Sequence, residues 1–148
     1  MTVTQKISHV LVAALCILLS STAMAQGRFS YSADGSEVID NETSLIWRRC
    51  SEGQSWSGST CTGTATGFDF DTGQKHVQNQ AGWHLPNVKE LNSILDRSKT
   101  NPAIDNAVFP ATGLGWYWSS SVWLVDFQTG LIYHGIRSPL KYMRLVRQ

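Results

Sequence analysis

The sequence feature that most constrains the fold is the ten-residue block Gly82-Trp83-His84-Leu85-Pro86-Asn87-Val88-Lys89-Glu90-Leu91. Pro86 restricts the residue before it to extended geometry. Asn87 is suited to cap a helix, and Glu90 stands three residues later, where a capping box requires a carboxylate. The apolar residues that follow fall on one helical face, namely Val88, Leu91, Ile94 and Leu95. The block therefore predicts an extended segment followed by a helix from Val88 to about Arg97.

The first 25 residues have the three parts of an export signal. Lys6 provides the positive charge, Val10 to Leu19 forms an apolar run, and Ala23-Met24-Ala25 is a small-x-small cleavage site. The apolar run has about ten residues, whereas a membrane-spanning helix needs about 20, so a retained anchor is the less favoured alternative. We expect a signal peptide at residues 1–25, no stable membrane insertion after its removal, and one exported domain at residues 26–148. Its destination would be the periplasm, the surface or the medium of a bacterium.

The charge balance argues against a nucleic-acid partner. Removal of residues 1–25 takes away Lys6 and no acid, which leaves eleven basic and eleven acidic residues. A neutral chain offers no general attraction for phosphate backbones. Residues 26–90 have a net charge of −3 and residues 91–148 a net charge of +3. A basic C-terminal surface is therefore an open expectation.

Two cysteines remain in the expected mature domain, Cys50 and Cys61. An even cysteine count in an exported chain favours a disulfide. Such a bond would close a loop rich in Ser, Gly and Thr that has little core of its own. The alternative is a redox or metal-binding thiol pair, but the spacing is not Cys-x-x-Cys and no histidine lies nearby in sequence.

The remaining local patterns predict short strands. Residues 28–32, 38–39 and 45–47 indicate a meander, and residues 50–67 indicate a loop. A weak helix from Thr72 onward is an open alternative within Phe68 to Gln80. Further strands are predicted around Tyr117–Trp118, Trp123–Phe127, Leu131–His134 and Tyr142–Arg147, with a turn at Gln128-Thr129-Gly130.

Several ordered blocks together resemble the Lcl C-terminal domain family, named for the Legionella collagen-like adhesin. The blocks are Val38-Ile39-Asp40-Asn41-Glu42-Thr43-Ser44-Leu45-Ile46-Trp47; Gly82 to Asn87 with Glu90-Leu91; Asn101-Pro102-Ala103-Ile104-Asp105; Phe109-Pro110; Tyr117 to Ser121; Val125-Asp126-Phe127; and Arg144-Leu145-Val146-Arg147. The resemblance implies an α+β fold similar to C-type-lectin-like and formylglycine-generating-type domains. Such a fold has short twisted antiparallel sheets, one or two helices and much loop. This chain departs from the family pattern at His84, where Arg is usual, and in its short segment between Ser121 and Trp123.

The resemblance also implies a non-catalytic binding module that recognises or adheres to polysaccharides, including sulfated ones, or to another surface ligand. Aromatic faces suit the CH surfaces of sugars, and cationic side chains suit anionic groups. The candidate contacts are Trp116, Tyr117, Trp123, Tyr133, His134, Arg137 and Lys141. We expect Trp83 and Trp118, which lie inside the shared blocks, to be core residues instead.

Two other functions are left open by the sequence. An accessory or structural subunit of an envelope, pilus or secretion assembly fits a single exported domain equally well. A formylglycine-generating-type oxidase is less favoured, since Cys50 and Cys61 better suit a structural disulfide than a copper site. Ser119 to Ser121 lack a Gly-x-Ser-x-Gly elbow, and no spacing pairs a histidine with a serine and a carboxylate. We therefore expect no catalytic residues, no metal site and no cofactor.

Overall fold

A computed structural model describes residues 27–148, so the expected signal peptide at residues 1–25 lies outside the described residues. Short strands, two helices and long irregular segments make up this part of the chain, which confirms the α+β class. In chain order the elements are β1 (Phe29–Tyr31), β2 (Glu37–Asp40), β3 (Leu45–Arg48), β4 (Ser55–Trp56), β5 (Cys61–Thr62), α1 (Phe70–Gln78), α2 (Val88–Ser93), β6 (Trp116–Trp118), β7 (Trp123–Asp126), β8 (Ile132–His134) and β9 (Val146–Arg147). Among the described residues, no helix is both long enough and apolar enough to cross a membrane.

The first sheet contains the predicted N-terminal meander. β1, β2 and β3 pair antiparallel, and β9 adds to β3 to complete four strands in the order β1-β2-β3-β9. Alternation along the strands places Val38 opposite Trp47. Both side chains are fully buried, so this face of the sheet packs on the core.

The C-terminal strand is shorter than the predicted Tyr142–Arg147. Tyr142 lies along β6 instead: its backbone N–H donates to Trp116 O at 3.0 Å, and Trp118 N–H donates to Tyr142 O at 2.9 Å. Only β9 continues into the first sheet. The C-terminal segment therefore runs from one sheet to the other rather than forming a single ladder.

The second sheet is antiparallel, with strands in the order β6-β7-β8. The turn between β7 and β8 forms at the predicted residues. Asp126 holds it, because its carboxylate accepts from Gln128 N at 2.8 Å and from Thr129 Oγ1 at 2.6 Å. Gly130 closes the turn with a φ of 80°, a conformation that glycine adopts without steric cost.

Helix α1 begins at Phe70, two residues before the predicted start at Thr72. The reason is an N-cap: the Asp69 carboxylate accepts a hydrogen bond from Thr72 N at 2.9 Å. The helix packs through Phe70, whose ring lies 5.3 Å from that of Trp118, measured between centroids.

Helix α2 has the predicted capping box. Asn87 Oδ1 accepts from Lys89 N and Glu90 N, each at 2.9 Å, and Glu90 Oε2 accepts from Asn87 N at 2.8 Å. The helix ends at Ser93, and the prediction that it extends to Arg97 is wrong. It ends early because the chain turns toward another segment, where Asp96 N donates to Ala103 O at 3.0 Å.

The segment expected to be a loop contains a short hairpin, in which β4 and β5 have two residues each. Cys50 and Cys61 form the expected disulfide, with 5.4 Å between their Cα atoms. The bond closes the segment that carries Gly53, Gln54 and Trp56, and therefore fixes it against the first sheet.

Two groups of buried side chains form the core. One packs around Trp47, Phe109, Tyr117 and Phe127, and the other around Phe70, Trp118, Met143 and Leu145. Trp118 is fully buried, as expected, whereas Trp83 is only half-buried at the edge of the second group. Trp83 is thereby left facing a cavity described below.

Candidate functional site

Three of the predicted ligand contacts lie together on one side of the second sheet. Trp116 on β6 and Tyr133 on β8 have ring centroids 6.2 Å apart. With Lys141 they line a shallow cavity of about 260 Å³, which Ile136 and Pro139 complete. The fold thus joins residues that are up to 25 positions apart in sequence, as the separation of Trp116 and Lys141 shows.

Trp123 and His134 lie on the opposite side of the sheet. They are directly opposite each other on β7 and β8, and their ring centroids are 5.2 Å apart. Trp123 also borders a small apolar cavity against α2, formed with Val88 and Ile132 among others. The predicted contacts therefore divide between two surfaces rather than forming one site.

Two predicted contacts do not present a free group to a ligand. Tyr117 is fully buried, so its assignment as a ligand contact is wrong: alternation along β6 turns it into the core, where its hydroxyl lies 2.8 Å from Ser51 Oγ. Burial raises the pKa of this hydroxyl despite the nearby Arg144 charge. Arg137 is exposed but forms an ion pair with Asp71 and stacks over the Phe70 ring. Its guanidinium therefore already has a carboxylate partner, and it does not line the cavity that contains Lys141.

Exposed apolar side chains cluster at one end of the molecule, on both sides of the second sheet. Among residues 27–148, six of the eight exposed large hydrophobic side chains lie in the β7–β8 hairpin and the loop after it. They are Trp123, Leu131, Ile132, Tyr133, Ile136 and Leu140. We define the hairpin surface as the face formed by Trp116, Tyr133, Ile136, Leu140 and Lys141. Concentrated apolar exposure of this kind is typical of binding surfaces in soluble proteins.

The outer edge of β8 is open. Asp126 N donates to Leu131 O at 2.8 Å, and Gly135 N donates to Val122 O at 2.9 Å. The backbone groups of Leu131 and Gly135, on either side of β8, therefore point toward β7. Because backbone groups alternate in direction along a strand, those of Ile132 and His134 face away from β7. In the part of the chain that the structure describes, no strand pairs with this edge.

Sequence reasoning missed a third cavity, which lies between the first sheet and the disulfide loop. We call it the tryptophan cavity. Its volume is about 330 Å³. It is lined by Ser36, Glu37, Arg48, Cys50, Ser51, Glu52, Gly53, Gln54, Trp56 and Trp83. Trp83 stood out in the sequence but Trp56 did not, and Glu37 and Glu52 come from separate segments that only the fold brings together.

Charged side chains surround the tryptophan cavity in a connected network. The buried Glu52 carboxylate lies 2.7 Å from Arg48 Nη1 and 2.7 Å from His76 Nε2. Arg147 donates to Glu37 at 2.7 Å. The guanidinium carbons of Arg48 and Arg147 lie 4.9 Å and 5.1 Å from the centroid of the Trp83 ring. The carboxylates are therefore held in fixed positions.

Arg144 supports the loop behind this cavity. It is fully buried, donates to the carbonyl oxygens of Arg48 and Arg49, and reaches Thr112 Oγ1 at 2.9 Å. Burial lowers the pKa of its guanidinium, while Tyr117 and Glu52 oppose that effect. Its role is thus structural, and the sequence pointed to it only through the shared block Arg144-Leu145-Val146-Arg147.

These features define a small α+β domain with a loop closed by a disulfide and two candidate sites, the hairpin surface and the tryptophan cavity. The family model of the Lcl C-terminal domain matches residues 36–147, so the chain belongs to that family. Membership indicates a secreted or surface-associated module. No curated protein matches the chain. No solved structure matches it either, so similarity to C-type-lectin-like and formylglycine-generating-type folds stays a prediction.

Proposed function

We propose that this protein is an exported, non-catalytic binding module and that the hairpin surface holds its ligand. One observation carries the proposal: the three most exposed large hydrophobic side chains of the described residues, Tyr133, Ile136 and Leu140, all lie on this surface. There they contact water and add nothing to the core. Membership of a family of secreted or surface-associated modules agrees with it.

The ligand that we propose is a polysaccharide of low charge. The half-buried ring of Trp116 and the exposed ring of Tyr133 suit the CH surfaces of sugar rings. Lys141 is the cation that lines the same cavity, while Arg137 is held by Asp71. A single cation favours a weakly charged polymer over a densely sulfated one, since each sulfate needs its own positive partner.

A second candidate is an accessory subunit of an envelope assembly. Two observations favour it: Ile136 and Leu140 are aliphatic, as in protein interfaces, and β8 has an open edge. Extended segments of a partner protein bind to such edges through main-chain hydrogen bonds.

The test is a glycan array probed with the purified protein and with Tyr133→Ala at low and moderate salt. We expect binding to weakly charged polysaccharides that changes little with salt and falls at least tenfold, about 1.4 kcal/mol, in Tyr133→Ala. Tyr31→Ala is the matched control, because Tyr31 is also exposed but lies on the first sheet.

Three outcomes would contradict the polysaccharide proposal. Binding confined to sulfated chains and abolished by salt would indicate a basic surface instead. An equal loss in Tyr31→Ala would mean that the hairpin surface is not the site. Absence of glycan binding, together with a cross-link from β8 to an envelope protein that Tyr133→Ala removes, would establish the second candidate.

A further inference from the structure

The tryptophan cavity is a second site, independent of the hairpin surface and sharing no residue with it. Its walls come from the β2–β3 pair, the disulfide loop and Trp83. Small-molecule sites occupy cavities of about 300–1,000 Å³. At about 330 Å³ this cavity is at the lower end of that range, so it suits one ring-sized unit rather than a length of polymer.

Its lining includes both hydrogen-bond acceptors and hydrogen-bond donors. Glu37 and Arg48 are directly opposite each other on β2 and β3, and Glu52 follows four residues after Arg48. A carboxylate, a guanidinium and a second carboxylate thus border one space. Neighbouring hydroxyl groups satisfy such a lining, because each hydroxyl both donates and accepts.

The charges at the cavity are already paired. Arg48 binds Glu52, and Arg147 binds Glu37 from outside the cavity. Of the charged side chains that line it, two are acidic and one is basic. An anionic ligand would therefore meet a carboxylate, and a cationic ligand would compete with Arg48 and Arg147. The balance favours an uncharged ligand.

The aromatic walls are held in place before any ligand binds. Trp56 Nε1 donates to Asp34 O at 2.9 Å, and the Arg49 guanidinium lies 4.2 Å from the ring centroid. Trp83 is fixed by Arg48 and Arg147. Rings that are already held in place lose little conformational freedom on binding, so even a ligand that makes few contacts can bind.

We propose that the tryptophan cavity binds one uncharged sugar residue, with its hydroxyls on Glu37, Arg48 and Glu52 and its apolar edge against Trp56. A site of this size with one bound ring implies a dissociation constant on the order of millimolar. The ligand would be a free neutral sugar or the terminal residue of a glycan.

The experiment is an NMR titration of the full exported protein that follows the indole N–H signals of Trp56 and Trp83. The probes are methyl glucoside, methyl galactoside and N-acetylglucosamine, with glucuronate and glucosamine as charged counterparts. We expect at least one neutral sugar to shift both indole signals in a saturable way. Preference for glucuronate or glucosamine would overturn the proposal, as would the absence of any shift at tens of millimolar of every probe.

Glu37→Gln keeps the shape of the side chain but removes its charge, and we expect it to weaken neutral-sugar binding at least tenfold. Glu42→Gln is the matched control, because Glu42 is exposed and outside the cavity. Equal affinity in Glu37→Gln and the wild type would overturn the assignment of Glu37. If Glu37→Gln does not fold, a nuclear Overhauser effect between sugar protons and the Trp56 ring decides the site in the wild type. Tyr133→Ala leaves cavity binding unchanged, so failure at one site is distinguishable from failure at the other.

Discussion

Arg144 illustrates how a single residue connects distant segments. Within residues 27–148 its guanidinium contacts backbone carbonyls and hydroxyls rather than a carboxylate, and it lies 4.8 Å from the Phe109 ring centroid. The two terminal nitrogens of the planar guanidinium donate four hydrogen bonds in fixed directions, which the compact ammonium of lysine cannot reproduce. The arrangement explains why an arginine belongs at this place in the C-terminal block.

Asp40 is a buried charge whose contribution to stability depends on pH. Its side chain is fully buried and accepts from Arg28 Nη2 at 2.9 Å and from Glu42 N at 3.1 Å. Burial alone would raise the pKa of this carboxyl. The hydrogen bonds from Arg28, Glu42 and Thr43 outweigh burial, and the pKa lies below its usual value of 3.8. The ionised form therefore stabilises the fold above that value, and this contribution is lost as the pH falls through the lower folded-state pKa.

We predict that Asp40→Asn lowers the free energy of unfolding at pH 7 by about 1.5–3 kcal/mol, the range for hydrogen bonds to charged groups. The wild type should lose stability more steeply than Asp40→Asn below about pH 4, so the two curves approach each other in acid. Urea denaturation at a series of pH values measures this. Glu42→Gln is the control, since its exposed pair with Arg28 at 3.4 Å is worth under about 1 kcal/mol. Parallel pH curves for Asp40→Asn and the wild type would contradict the prediction.

At the scale of elements, α2 depends on its first turn. The helix has six residues, too few to be stable by itself, and it packs against β7. We predict that Asn87→Ala lowers the free energy of unfolding by about 0.5–2 kcal/mol, because two backbone N–H groups lose their acceptor.

Thermal denaturation of Asn87→Ala beside Asn106→Ala measures the effect of this cap. Asn106 is an exposed loop residue, so its substitution should change little. Asn87→Asp keeps an acceptor at the same position and should retain most of the stability. An Asn87→Ala protein as stable as Asn106→Ala would show that the cap does not hold the helix.

The elements that were predicted correctly from the sequence are those whose formation depends on residues close to one another along the chain. The capping box at Asn87 and Glu90 and the meander through Val38 and Trp47 are of this kind. The errors arose where distant segments decide. Tyr117 was assigned to the surface because alternation along β6 does not reveal which face is covered. The tryptophan cavity escaped notice because its lining spans Ser36 to Trp83, and no local pattern links those positions.

At the scale of the whole molecule, the C-terminal segment connects the separate parts. Lys141 exchanges backbone hydrogen bonds with Phe68, and Met143 O accepts from Glu52 N at 2.9 Å. Val146 exchanges backbone hydrogen bonds with His84 at 2.9 and 3.0 Å. The segment thus contacts the residues just before α1, the disulfide loop and the block that precedes α2. The first sheet is complete only when β9, at the end of this segment, pairs with β3.

The disulfide links overall stability to the tryptophan cavity, since Gly53, Gln54 and Trp56 lie between its two cysteines. We predict that the double substitution Cys50→Ser, Cys61→Ser lowers the free energy of unfolding by roughly 2–3 kcal/mol, because the unfolded chain regains the freedom of the closed loop. Urea denaturation measures this change in stability.

The same double substitution should weaken sugar binding in the tryptophan cavity more than it weakens binding at the hairpin surface, which lies on the other sheet. The NMR titration and the glycan array measure these two affinities. Ser57→Ala and Ser59→Ala, exposed in the same loop, are the controls. Equal weakening at both surfaces would mean that the bond stabilises the domain as a whole without shaping the cavity.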